Sequence, residues 1–171
     1  MYNNFNLINV SIIILNWNGW KDTVECLESL YQINYPNYEI IVIDNNSEDD
    51  SIEKIKEYCN GKLKVKSEFF EYTPKNKPIK VFEYSQDVNK HPKLVNEFKK
   101  LSCNRKLMII KNDSNYGFAE GNNIGIRFAL KNLDPDYIML LNNDTVVERN
   151  FLGEMIQIAE SKKNIGFVGP K

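Results

Sequence analysis

A short apolar run that breaks off in small polar residues constrains this chain more than any other feature. Tyr137-Ile138-Met139-Leu140-Leu141 follows Asp136 and is closed by Asn142-Asn143-Asp144. A run of this length reads as a buried strand. Its polar tip then points where ligands of open α/β sheets sit, at the carboxyl ends of the strands. A second segment has the same design: Glu39 to Ile43 is apolar and β-branched, and Asp44-Asn45-Asn46-Ser47 follows. Two such tips predict one shared polar crevice.

The rest of the pattern supports a parallel sheet. Val10 to Leu15 is a third β-branched run, stopped by Asn16-Trp17-Asn18-Gly19. Trp20, Val24, Leu27 and Tyr31 then recur at helical spacing, and Asn34-Tyr35-Pro36-Asn37 ends that helix, since proline cannot continue it. Ser47-Glu48-Asp49-Asp50 reads as a capping box that opens a helix through about Cys59. Strand, helix, strand, helix with short loops predicts helices packed on both faces of a parallel sheet. After a less regular middle, Leu107 to Ile110 is a further strand. The loop Asn115 to Asn123, a helix to about Asn132, and the Tyr137 to Leu141 strand follow. Glu148 to Lys163 is amphipathic, and Ile165 to Val168 looks like the start of one more strand.

The middle, about residues 60–106, reads as an insertion made of a hairpin and a short helix. Lys62 to Tyr72 partly alternates, Pro78 to Tyr84 has strand character, and Leu94, Phe98 and Leu101 share a helical row. Its lysines read as a solvated surface, and His91, the only histidine, reads as a loop residue. A chain of 171 residues suits one domain, residues 1–171. A net charge of -1 gives no reason to expect nucleic-acid binding, and no apolar run approaches the roughly 20 residues of a spanning helix. Cys26, Cys59 and Cys103 are odd in number and lack metal-ligand spacing. They point to a reducing, cytoplasmic setting, and Cys59 to a buried apolar filler.

Under a parallel sheet four loops leave the same edge: Asn16 to Gly19, Asp44 to Ser47, Asn112 to Asn123, and Asn142 to Thr145. Asn and Asp also form loops through local backbone hydrogen bonds, so any one of these loops has that alternative. Four polar loops on one edge instead suit a ligand with many hydroxyls and a polar base. Neither a G-x-G-x-x-G after a strand nor a G-x-x-x-x-G-K-[ST] occurs, which disfavours dehydrogenases and P-loop enzymes. Metal-assisted diphosphate binding remains, with Asp144 giving one carboxylate to Mg²⁺ or Mn²⁺.

Val10 to Gly19, Val42 to Ser47, Asn115 to Gly125 and Leu140 to Asp144, in that order, resemble glycosyltransferase family 2. More narrowly they resemble its rhamnosyltransferase-like members. The resemblance covers residues 10–47 and 107–171. It implies the GT-A fold, a Rossmann-like, mostly parallel α/β sheet flanked by helices, here truncated at the C-terminus. It also implies metal-dependent inverting transfer of a sugar from a UDP-, dTDP- or GDP-linked donor to a glycan or lipid-linked acceptor. Asp44 would accept a hydrogen bond from the base or ribose, with Leu15 and Asn16 lining the base pocket. The Gly117 to Asn123 loop would lie against nucleotide and sugar. Asp144 would match the last acid of the family's D-x-D motif, with Asn142 in place of the first.

The donor-site residues expected on this basis are Leu15, Asn16, Asn18, Asp44, Asn46, Gly117, Phe118, Gly121, Asn122, Asn142 and Asn143, with Asp144 at the metal. Arg127 is expected on a solvated helix face, and Trp17 and Trp20 in the core or wall. The family's catalytic base matches no residue here and is expected beyond Lys171, so the chain reads as the donor-binding half of a longer enzyme. Polysaccharide or glycolipid assembly in the cytoplasm, in contact with the inner membrane face, follows from the same resemblance. The alternatives are a non-catalytic sugar-nucleotide-binding or interaction module and a sugar nucleotidyltransferase. The latter would need a Gly-rich, Arg-containing loop where Asn16 to Gly19 stands.

Overall fold

The computed structural model describes residues 8–84 and 92–170. The elements are β1 (Val10–Asn16), α1 (Trp20–Leu30), β2 (Tyr38–Asp44), α2 (Ser51–Cys59), β3 (Lys80–Tyr84), α3 (Pro92–Lys99), β4 (Lys106–Lys111), α4 (Gly117–Asn132), β5 (Tyr137–Asn142) and α5 (Phe151–Ala159). All strand pairs are parallel, in the order β3-β4-β2-β1-β5.

Parallel strands need crossovers, and the helices that make them bury both sheet faces. That is why β1 and β2 are apolar almost throughout rather than alternating. Ile12, Ile14, Ile40 and Val42 pack with Leu27, Leu30, Ile55, Tyr58, Leu152 and Ile156 on one face. Ile13, Ile41 and Ile43 pack with Phe98, Met108, Phe128 and Ala129 on the other. The sheet is therefore a rigid platform whose strand ends all point one way.

Four expectations need correction. Among the described residues the middle segment forms no hairpin: residues 62–72 carry no strand, and β3 adds to the sheet edge parallel to β4. The capping box does not form. Helix α2 starts at Ser51 with Asp50 as its N-cap residue, which makes no side-chain cap bond, while Ser47 turns to Asp44. Ile165 to Val168 is irregular. Gly117 to Asn123 is the start of α4 rather than a loop. His91 lies outside the described residues. Cys59 is fully buried, as expected.

Two lysines of the middle segment are not on the surface either. Lys77 meets the fully buried Glu28 at 3.1 Å, and Lys106 meets Glu39 at 3.7 Å. Glu28 also accepts from the Tyr58 hydroxyl at 2.9 Å and the Thr73 amide at 2.9 Å. The ion pair pins residues 73–77 to α1 and α2. Burial pushes the Lys77 ammonium below its usual range, against the pull of Glu28.

Candidate functional site

The register brings the polar tips into line. Asn16 lies opposite Asp44, Leu15 opposite Asn142, and Asp44 opposite Lys111. The tips of β4, β2, β1 and β5 therefore share one rim; Asp44 closes β2 and Asp144 follows β5, the two strands that flank β1. Their environments differ sharply.

Asp44 is fully buried. A carboxylate out of water requires donors, and three are supplied: Asn16 Nδ2 at 2.9 Å, Ser47 Oγ at 2.6 Å and the Ser47 amide at 3.2 Å. Asn16 Nδ2 also reaches Ser47 Oγ at 3.1 Å, and the Asn18 amide donates to the same oxygen at 3.0 Å. Asn18 itself has a positive φ of 52°, and its Oδ1 accepts from the Glu48 amide at 2.8 Å. Thus the loops after β1 and β2 are laced together, with Asp44 at the centre. Asn46, at φ 62°, completes the turn and remains partly exposed.

A second hub is Asn45, almost fully buried. Its Oδ1 accepts from Asn112 Nδ2 at 3.0 Å and the Tyr116 amide at 3.1 Å, and its Nδ2 donates to Asn115 Oδ1 at 2.8 Å and Gly117 O at 3.2 Å. This clamps the start of α4 against the β2 tip. The helix then lies directly on the sheet: a Cβ on Gly121 would stand 2.6 Å from Leu15 Cδ1, and one on Gly125 2.7 Å from Ile13 Cγ2. Gly121 therefore serves helix-to-sheet packing, where Leu15 meets it. Gly117 has a left-handed φ of 71° with open space around it, a conformation glycine adopts without strain. Asn122 is buried and donates to Phe118 O at 2.9 Å, while Phe118 is exposed at the rim.

The β5 tip splits by side. Asn142 and Asp144 are exposed. Asn143 turns inward, donating to Thr23 Oγ1 at 3.2 Å and Gly19 O at 3.4 Å. A groove of about 690 Å³ opens beside Asp144, lined by residues that include Gln32, Phe69, Glu148 and Arg149. A larger groove of about 810 Å³ runs along the free edge of β5; Met139, Leu141, Phe151 and Ile156 make it mostly apolar. Under the rim, burial and the neighbouring Asp144 and Glu25 charges push the Cys26 thiol up to about 12.

Trp17 is 56% exposed and so is not a core residue; Asn16 instead takes the inward position at the end of β1. Trp20 is half-buried on the α1 face. Arg127 is exposed and pairs with Glu120. Sequence reasoning missed three structural members of the rim: Thr23, Asn45 and Ser47. Asn45 and Ser47 sat in a noted motif, but Thr23 offered no signal, being one polar residue on an amphipathic helix.

Among the described residues no three His, Cys, Asp or Glu side chains cluster as a metal site. The exposed Asp144 carboxylate fits a divalent ion only in the mode where phosphate oxygens and waters fill the other positions. Among the described residues no helix is long and apolar enough to cross a membrane.

The five-stranded parallel sheet flanked by helices has the architecture of the GT-A fold. The family model "Glycosyl transferase family 2" matches residues 11–78, from within β1 to just before β3. The chain is similar in structure to a mannosyltransferase from Pyrobaculum calidifontis in complex with GDP-Man and Mn²⁺. They share 16% identity and a TM-score of 0.62, over 92% of this chain and 34% of that one. It is also similar to residues 1–349 of S. aureus TarS in complex with UDP-GlcNAc (16% identity, TM-score 0.56, 96% of this chain, 37% of that one). The UDP complex of the same protein gives 15% identity and a TM-score of 0.54, over 96% of this chain and 38% of that one. The chain thus spans little more than a third of the length of these structures. No curated protein sequence matches it.

Proposed function

We propose that this chain forms the donor-binding part of a glycosyltransferase. Residues 1–171 act as one nucleotide-sugar-binding unit, and the stretch at about 60–106 supplies the β3 edge and α3. The observation that carries this reading is the shared rim: an enclosed Asp44 turn at the end of β2 and an exposed Asp144 at the end of β5, with β1 between them. The nucleoside would lie over Leu15, Asn16, Asn18 and Asn46. With Asp44 enclosed, its role is to hold Asn16 and Ser47 in place beneath the base and ribose. Gly117, Phe118, Gly121 and Asn122 would form the wall on the α4 side, and Asn142 and Asn143 the wall on the β5 side.

Asp144 would hold Mn²⁺ or Mg²⁺ together with the donor diphosphate. The ion would supply positive charge where negative charge collects on the leaving diphosphate. In an inverting transfer, an acceptor hydroxyl oxygen bonds to the anomeric carbon as the bond from that carbon to the diphosphate breaks. The electron pair leaves with the diphosphate, and a base takes the hydroxyl proton. We assign that base to no residue of this chain. The donor sugar is read as a hexosyl or rhamnosyl group and the acceptor as a glycan or lipid-linked saccharide. The free Cys26, Cys59 and Cys103 thiols support a cytoplasmic setting, where polysaccharide assembly at the inner membrane face would take place.

Calorimetric titration with UDP, dTDP and GDP, with and without Mn²⁺, tests the reading. One nucleotide should bind, more tightly with metal, and Asp144→Ala should remove the metal effect. Binding of none of them would favour a purely interaction-mediating module, and an unchanged Asp144→Ala titration would take that residue out of the site.

A further inference from the structure

A chain of hydrogen bonds joins the two ends of the rim under its surface, and one residue in it belongs to neither end. Asn143 Nδ2 donates to Thr23 Oγ1 at 3.2 Å, Thr23 Oγ1 donates to Asn16 Oδ1 at 2.8 Å, and Asn16 Nδ2 donates to Asp44 Oδ1 at 2.9 Å. Each group donates toward the next, and the series ends on a carboxylate. Bonds arranged head to tail polarise one another and tighten together. Thr23 and Asn16 are fully buried, so water does not compete for them. The β-branched Thr23 is also stiff in its helix. Gly19 makes room for the series: a Cβ there would stand 2.7 Å from Asn143 Nδ2. The Gly19 carbonyl lies 3.0 Å from Thr23 Oγ1 and shares its single proton with the closer Asn16 Oδ1 at 2.8 Å, so α1 begins inside the network.

We infer that Thr23 is a positioning residue that couples the nucleoside end of the site, at Asn16 and Asp44, to the metal end, at Asn143 and Asp144. It sets the spacing at which one nucleotide diphosphate and one divalent ion are gripped together. The inference rests on the donor-site reading above. When Asn143 moves, Asp144 beside it moves, and the hydroxyl transmits that shift to Asn16 across β1. Nucleotide and metal are therefore bound as a unit, and each raises the affinity for the other.

The test is titration of GDP and UDP into the full chain with Mn²⁺ and with a chelator, and the readout is the ratio of the two affinities. Thr23→Val keeps the shape and removes the hydroxyl; the ratio should fall about fivefold or more. Thr23→Ser should restore it to within about twofold, since the hydroxyl is what the coupling needs. Gly19→Ala, which leaves the hydroxyl in place but crowds Asn143, should lower the ratio as Thr23→Val does, and it carries the test should the valine variant fail to fold. If Thr23→Val weakens binding equally with and without Mn²⁺, the ratio is unchanged; Thr23 is then merely structural and the inference is overturned. If the wild-type chain binds no nucleotide, the donor-site reading fails, and the coupling falls with it.

Discussion

Asn16 and Asp44 sit opposite each other at the ends of adjacent strands, and their side chains meet at 2.9 Å with no solvent exposure. The carboxylate is thus an internal fastener between two loops. Asp44→Asn would place an NH₂ group among three donors, leaving at least one buried donor unmatched. A loss of about 1–3 kcal/mol is expected, read as a lower denaturant midpoint at constant m-value. An unchanged midpoint would mean that the turn does not depend on the charge.

Gly125 and Ile13 are in contact across the α4–sheet interface. Gly125→Ala introduces a Cβ 2.7 Å from Ile13 Cγ2 and 3.1 Å from Ile43 Cδ1. The gain in helix propensity, about 1 kcal/mol, is outweighed by overpacking of about 1–3 kcal/mol. The variant should melt below wild type, and nucleotide affinity should fall as the α4 wall shifts. A higher melting temperature would show that the helix can lift without cost.

Glu28 and Lys77 form a buried pair. Lys77→Met alone strands the Glu28 charge and should cost about 3–5 kcal/mol. Glu28→Gln combined with Lys77→Met should recover most of that loss. A double-mutant cycle by chemical denaturation checks this, and strict additivity would disprove it.

Cys26 and Cys59 are each pushed up to about 12 by burial, from an ordinary 9.0. A thiol with a raised pKa stabilises the folded chain fully below the unfolded value and loses that contribution as pH rises toward the folded one. Above about pH 9, stability should therefore fall by roughly 1.4 kcal/mol per pH unit for each thiol. Urea titrations at pH 8, 9 and 10 would show it. At pH 8 iodoacetamide should label the half-buried Cys103 ahead of the other two, and equal labelling of all three would contradict their enclosure.

Much of this was legible in the sequence, for physical reasons. Strands buried on both faces must be continuously apolar, so β1, β2 and β4 stand out as runs bounded by polar tips. Tyr137 to Leu141 reads as a buried strand for the same reason, but β5 is an edge strand with no buried residue and Leu140 half exposed. Strand direction then places the four loops on one edge. The β3 strand was not resolved from a hairpin because Lys80 to Tyr84 lies at the sheet edge, where burial is partial and its pattern ambiguous. The start of α4 read as a loop because Gly117 and Gly121 have poor helix propensity. Packing against Leu15, which only Gly permits at that distance, overrides that weakness. Trp17 read as core or wall because it is large and apolar, whereas the end of β1 buries Asn16 and leaves Trp17 exposed.

The order of residues by itself determined the alternation of strands and helices, the parallel sheet and the chemical character of its rim, since periodicity and β-branching act locally. Only the tertiary structure decided which polar side chains stay open to solvent and which hold the rim together. Asp44, Asn45 and Asn143 turn inward while Asp144 and Asn142 remain exposed, because buried polar groups from strands far apart in sequence must find each other's donors and acceptors, and no local pattern encodes those partners.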